Sequence, residues 1–302
     1  MKTEELIRGA RALSHKHSVT NGEGFRLDRC DPQECGSVDG VTKDGARELL
    51  EEGIAVMAEL QSKLYAQDHW AILLIFQAMD AAGKDGVIKQ VMSGINPQGC
   101  EVHSFKAPSS EEIDHDYMWR AMRRAPPRGT IGIFNRSYYE EVLVVRVHPE
   151  ILKNQKLPAQ LVTKDIFDQR YTDIRRYERF LSRNGTVIRK FFLNVSKKEQ
   201  RKRFLERIDD AEKHWKFSTA DVRERQHWDA YMAAYEKMIQ ETSSPEAPWH
   251  VIPADNKWYT RLAVASVIID TLSGLDLHYP TVDAKRIAEL HDARAQLMAE
   301  KD

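Results

Sequence analysis

The chain has 302 residues, with 45 Lys and Arg against 46 Asp and Glu and a formal net charge of −1 at pH 7. That balance leaves no global basic field for a nucleic acid polymer or a membrane surface, so any polyanion must be caught by local clusters of charge. No apolar run approaches the ~20 residues of a membrane span, the charged start Met1–Glu5 shows no signal-peptide pattern, and Cys30, Cys35 and Cys100 are too few and scattered for a disulfide framework. A cytoplasmic protein with a full α/β core is expected, and Cys30 and Cys35 with His15 and His17 match no familiar zinc spacing.

Residues 1–42 carry Gly, Asp, Ser and Thr without sustained periodicity and read as a surface arm. Leu49, Leu50, Ile54, Met57, Leu60 and Leu64 then fall at helical spacing between Lys43 and Gln67. Six apolar residues, Ala71–Phe76, read as a buried parallel strand, followed by the turn Asp80–Gly83 and by Lys84 at the mouth of a helix carrying Val87, Ile88, Val91 and Ile95. Strand, small-residue turn, Gly–Lys and helix together build a phosphate-binding loop. Backbone N–H groups and the positive helix end face one concavity, and the Lys ammonium reaches the terminal phosphates. Ala81, Ala82, Gly83 and Gly86 are small enough to leave that concavity open, with Asp85 at the helix entrance.

The match to G-x-x-x-x-G-K-[ST] departs at two positions. Ala78 stands where the first Gly belongs and requires a negative φ there. Asp85 stands where a hydroxyl would hold magnesium, and Asp80 places a carboxylate beside the expected phosphates. A carboxylate there is tolerable when a metal sits between it and the anion, which marks Asp80 as the magnesium ligand.

Further along, Cys100–Phe105 reads as a second strand and Ser109–Arg124 as one helix capped by Ser109 or Ser110. Arg128–Phe134 is a third strand, with Asn135 at its tip in the slot that commonly holds a magnesium-ordering acid. Arg136 follows, placed to lie across a transferring phosphoryl group, with Glu140 close by. Leu157–Asn184 reads as a long helix whose arginines mostly face solvent, and Val187–Val195 as a fourth strand. Ser196 with Glu199 reads as a capping box for a basic helix, and Ser218–Asp221 caps a second helix carrying Trp228, Met232, Tyr235, Met238 and Ile239. Two helices joined by a basic, aromatic hinge describe a lid over 196–242, of the kind that closes over phosphates and excludes water. Trp249–Pro253 is a fifth strand, Asp255 or Asn256 caps a closing helix, and 276–302 is a polar helical tail. The domain that carries the phosphate-binding loop is thus placed at 43–275.

Three stretches together resemble one family. Gln77–Gly86 resembles the modified Walker A loop of the polyphosphate kinase 2 family, Ile133–Glu140 its Walker B-like segment, and Arg203–Arg207 through Lys213–Ser218 its lid module. The resemblance extends from about Phe25 to about Leu272 and implies a P-loop kinase fold of the thymidylate kinase type: a parallel five-stranded sheet flanked by helices, with a helical lid. It further implies magnesium-dependent phosphate transfer between inorganic polyphosphate and nucleotides, and a homo-oligomer. By resemblance Asp80 and Lys84 become the catalytic and metal-binding Walker A pair and Arg136 the arginine at the transferring phosphate. Asn135 with Glu140 resembles the subfamily that accepts both AMP and ADP. A basic channel would suffice for a donor that has no base to recognise, and Arg203, Arg207, Lys213 and Lys216 with their basic neighbours on the lid would supply it. Two alternatives share these features: a nucleoside monophosphate kinase using ATP, and a non-catalytic sensor of polyphosphate or nucleotide with a degenerate loop.

Overall fold

The computed structural model describes residues 3–35 and 43–300, without the side chains of Lys43, Asp44, Lys213 and Lys216. Its first helix, α1 (Thr3–Lys16), corrects the reading of 1–42 as a surface arm. Leu6, Ala10 and Leu13 are buried on one face of α1, at the spacing of 3–4 that puts side chains on one stripe. The short strand β1 (Ser18–Val19) follows, and Leu27 is buried in the same core.

Helix α2 (Lys43–Gln67) leads into β2 (Ala71–Ala78), whose eight residues are all buried, and then into α3 (Lys84–Val91). An unbroken apolar run of this kind is what a central parallel strand needs, since both of its faces are covered. Next come β3 (Cys100–Ser104) and two short helices, α4 (Ser110–Ile113) and α5 (Trp119–Met122). The single helix expected over 109–124 is broken because Asp116 Oδ1 accepts from the backbone N–H groups of Met118 and Trp119, at 2.9 and 3.1 Å, and so caps a new helix.

Strand β4 (Ile131–Asn135) is followed by a 3₁₀ turn over Tyr138–Val142 and by α6 (Val144–Val147). Helix α7 (Ile166–Arg183) starts nine residues later than Leu157, because Pro158 opens a separate turn and the Thr163 hydroxyl takes the N–H of Asp165. Nor is its basic face uniformly solvated: Arg170 is buried and paired with Glu141 at 3.0 Å.

The chain continues through β5 (Thr186–Asn194), α8 (Lys197–Asp209), α9 (Thr219–Glu224), α10 (Trp228–Thr242), β6 (Trp249–Pro253), α11 (Lys257–Ser273) and α12 (Ala284–Ala299). Three capping details differ from expectation. Ser196 Oγ accepts from Glu199 N, but the Glu199 carboxylate turns to Arg203 rather than back to Ser196, whose N–H goes to Asp255 instead. Asp255 Oδ1 accepts that N–H and the Asn256 amide donates to the Gln33 carbonyl, and neither side chain caps α11. The helix expected to run from 219 to 239 is split by a 3₁₀ turn at Arg225–His227.

Among the described residues one sheet has six strands in the order β3–β4–β2–β5–β6–β1. The five expected strands are mutually parallel, and β1 adds antiparallel to β6. From central β2, the chain moves first to one side (β3, β4) and then crosses to the other (β5, β6). Ligands of open α/β sheets bind outside the carboxyl ends of the strands at such a crossing. The loop after β2, the tip of β4 and the start of α8 all lie there.

Packing α1 on α11 makes the N-terminal segment part of the core. Leu13→Ala is therefore expected to cost about 2–4 kcal/mol, the usual range for a buried leucine. Urea denaturation measures it, and an unchanged midpoint would return the segment to the surface.

Candidate active site

Gly83 takes φ 105° and Ala81 φ 60°, so the loop after β2 turns through two left-handed residues. The first needs glycine, and the second strains an L side chain. Ala78, the position without the usual glycine, is still in the strand and needs no such conformation.

This turning sends the loop carbonyls toward α8. The Arg203 guanidinium, buried at 5% exposure, donates to the carbonyls of Ala81 (3.1 Å) and Ala82 (2.8 Å) and, through its other nitrogen, to those of Ala254 (2.7 Å) and Asp255 (3.0 Å). Gln200 donates to the carbonyl of Asp80 at 2.9 Å. Arg203 thus holds the loop from behind, and its expected place among the residues lining a donor channel is corrected on that ground.

Lys84 is buried and donates to Ala78 O at 2.9 Å. Burial lowers its pKa and the Arg136 charge adds to the effect, against the carboxylates of Asp80, Glu140 and Asp85. Asn135 at the tip of β4 donates to Asp85 Oδ1 at 2.6 Å. Relative to the usual loop, the acid and its neutral partner have changed places: the helix brings the carboxylate and the strand the neutral group.

Arg136 has φ 63°, a strained value for a non-glycine residue that clusters at functional sites. Its backbone N–H is fixed to Phe76 O at 3.0 Å, and its guanidinium meets Asp80 at 2.9 Å and Glu140 at 3.6 Å. Burial raises the pKa of Glu140, while Arg136 and Lys84 oppose the rise. The Gln77 amide completes this corner when its nitrogen faces Glu140 Oε1 (2.8 Å) and its oxygen faces Ser137 Oγ (3.0 Å).

Asp80, Lys84, Asp85, Asn135 and Arg136 border one cleft of about 600 Å³, together with the small residues Ala81, Ala82, Gly83 and Gly86. Arg207 reaches it from α8. Lys213 and Lys216 belong to the turn Ala211–Lys216, and their side chains lie outside the described residues. The sequence reading missed Lys106, Trp215 and Asp221 as cleft residues. Lys106 was findable, since it stands just beyond a strand's carboxyl end. Asp221 was not, because only the folded path of α9 brings it so near that burial and then the Asp80 charge raise its carboxyl pKa.

Both longer helices of the stretch 196–242, expected to form a lid, are packed down. Helix α8 is tied to the loop through Gln200 and Arg203, and α10 buries Tyr231, Ala234, Tyr235, Met238 and Ile239 in the core. Between them Trp215 and Asp221 border the cleft, and Glu224 accepts from Tyr231 Oη at 2.8 Å and meets His148 Nε2 at 2.9 Å.

The profile of the family described as Polyphosphate kinase 2 (PPK2) matches residues 40–279. The chain belongs to the polyphosphate kinase 2 family. Within that family it is 55% identical over 258 residues to the ADP-polyphosphate phosphotransferase of Rhodopseudomonas palustris, covering 85% of this chain and 89% of that protein. It is 44% identical over 265 residues to the AMP/ADP-polyphosphate phosphotransferase of Meiothermus ruber, covering 88% and 95%. A crystal structure of polyphosphate kinase 2 from Arthrobacter aurescens TC1 superimposes with a TM-score of 0.86 at 40% identity, over 95% of this chain and 97% of that one. The fold is therefore the P-loop kinase fold of polyphosphate kinase 2, with one strand more than the five expected from the sequence.

The raised pKa of Glu140 has a stability consequence. The folded state holds the proton more tightly than the unfolded chain, a contribution that is full below the ordinary carboxylate range near pH 4 and lost as pH rises through the raised value. Glu140→Gln is therefore expected to gain stability relative to the parent chain between about pH 4 and pH 7. Urea titrations at both pH values test this, and an equal difference at the two would show an ordinary carboxyl.

Proposed function

We propose that this chain transfers the terminal phosphate of inorganic polyphosphate to AMP and ADP, with GMP and GDP as further acceptors. One observation carries the reading: Lys84 at the start of α3 and Arg136 just beyond β4 open into one cleft with Asp80 beside them. The names of the relatives support polyphosphate as donor and AMP and ADP as acceptors, and the occurrence of Asn135 together with Glu140, which resembles the subfamily that accepts both, supports use of AMP as well as ADP.

Phosphoryl transfer asks for positioning and charge neutralisation more than for covalent chemistry. Lys84 and the N–H groups of the first turn of α3, which have no partners within the helix, hold the terminal phosphates of the donor. Arg136 lies between donor and acceptor and offsets charge that develops on the transferring group. An oxygen of the acceptor phosphate forms the new P–O bond as the bridging P–O bond of the donor breaks, and the electron pair leaves with the shortened polyphosphate. Acceptor phosphates are already ionised at neutral pH, so no strong base is required. Asp80, paired with Arg136 before substrate binds, keeps the guanidinium at the mouth of the loop. Arg207 and Lys106 add positive charge at the cleft walls.

Among the described residues no group of three or more His, Cys, Asp and Glu forms a metal cage. The residues fit instead a hard cation shared between carboxylate and phosphate oxygens. Of the cleft carboxylates Asp80, Asp85 and Asp221, the two on the phosphate loop and the start of α3, Asp80 and Asp85, would hold magnesium in that way. When bound, it would neutralise phosphate charge.

Purified protein with magnesium, offered AMP, ADP, GMP or GDP against either polyphosphate or ATP, tests the proposal by chromatography of the nucleotide products. Polyphosphate is expected to support synthesis of the next higher phosphate. Product formed from AMP with ATP alone would make the chain a nucleoside monophosphate kinase. Lys84→Ala is expected to abolish turnover in a folded protein, and Asp80→Asn to slow it at least ~100-fold. Polyphosphate binding without turnover in the parent chain would make it a sensor.

A further inference from the structure

Four consecutive residues in the 3₁₀ turn after β4 are held in three directions. Tyr138 and Tyr139 both donate to Glu178 Oε1, at 2.9 and 2.7 Å. Glu141 is turned away to buried Arg170 and accepts from it at 3.0 Å. Glu140 alone is left facing Arg136. Glu178 is also paired with Lys190, with Nζ and Oε2 2.7 Å apart and side-chain exposures of 0% and 3%. The Lys190 ammonium fills its three donor positions with Glu178, Tyr139 Oη (3.0 Å) and Thr242 O (2.6 Å). Thr242 is the last residue of α10, so the same ammonium fixes the end of the helix by which the chain returns from the lid.

A pair this deep stabilises little over an apolar pair of the same shape, because desolvation offsets the attraction. What it supplies is direction. An apolar core would hold the two rings in place but would not define where their hydroxyls end, and the spacing of the turn converts that into the aim of Glu140. We infer that Glu178 and Lys190, acting through the hydroxyls of Tyr138 and Tyr139, are positioning residues that set Glu140 against Arg136. The inference rests on the place given above to Glu140 and Arg136 in the transfer site.

Tyr138→Phe/Tyr139→Phe removes the two hydroxyls and nothing else. Its kcat with AMP and polyphosphate is expected to fall roughly 10- to 100-fold, as for a misplaced catalytic group, with KM for polyphosphate within about twofold. The decisive readout is the same pair of substitutions placed on Glu140→Gln. If the tyrosines act through Glu140, the triple variant stays within about twofold of Glu140→Gln in kcat, while the loss in thermal stability caused by the two tyrosine substitutions remains visible. Losses in kcat that multiply, or a double variant with the parent kcat, overturn the inference. A Glu140→Gln enzyme with the parent kcat removes the assignment of Glu140 itself, and that outcome is visible before the tyrosines are changed. If the double variant fails to fold, Tyr139→Phe alone, with Tyr138 still on Glu178, carries the same comparison.

Discussion

A loop that offers its N–H groups to an anion must turn its carbonyls the other way, and those carbonyls need partners in the interior. Here the partners come from α8. Arg203 takes two of the carbonyls and Gln200 a third, and the second nitrogen of Arg203 reaches the carbonyls that follow β6. The neighbouring strand ends are thereby locked to the loop, and the cleft keeps its shape without a ligand. Remove that clamp, and at least three backbone acceptors are left to water or to a rearranged chain.

The same economy of partners governs the opposite wall. Strand β4 is followed at once by an arginine with a left-handed backbone, and the turn beyond it is held by tyrosines, a glutamate and a lysine that never reach solvent. Asp80 and Glu140 flank the guanidinium and hold its charge at the cleft mouth. In the proposed transfer, substrate phosphates would meet a prearranged field, so that little reorganisation is required when charge shifts between donor and acceptor.

Much of this was legible in the residues. The apolar run 71–76, the Gly–Lys turn and the strand tip at Asn135 are local patterns, and they located the centre of the sheet and both walls of the cleft. What escaped the reading was whatever depends on partners distant in the chain. Arg203 and Arg170 look like solvated basic residues on amphipathic helices, yet each is drawn inward by acceptors 29 or more positions away. The helix α1 was missed because its stripe of Leu6, Ala10 and Leu13 is thin and its first turn highly charged. Ser196 and Asp255 illustrate the limit of capping rules, since a cap predicted from spacing was taken by a strand end 59 residues on. The stretch expected as a lid shows the same dependence: its two longer helices hold buried contacts that composition does not reveal.

The left-handed backbone at Arg136 sets two kinds of fitness against each other. Glycine adopts that conformation without strain, so by the measure of folding alone arginine is a poor occupant of the position. A glycine there would relieve the backbone but leave the Asp80 and Glu140 carboxylates without their guanidinium. Any effort to harden this scaffold for use must therefore exempt the strand tip and look for its gains elsewhere, in surface loops and helix ends remote from the cleft.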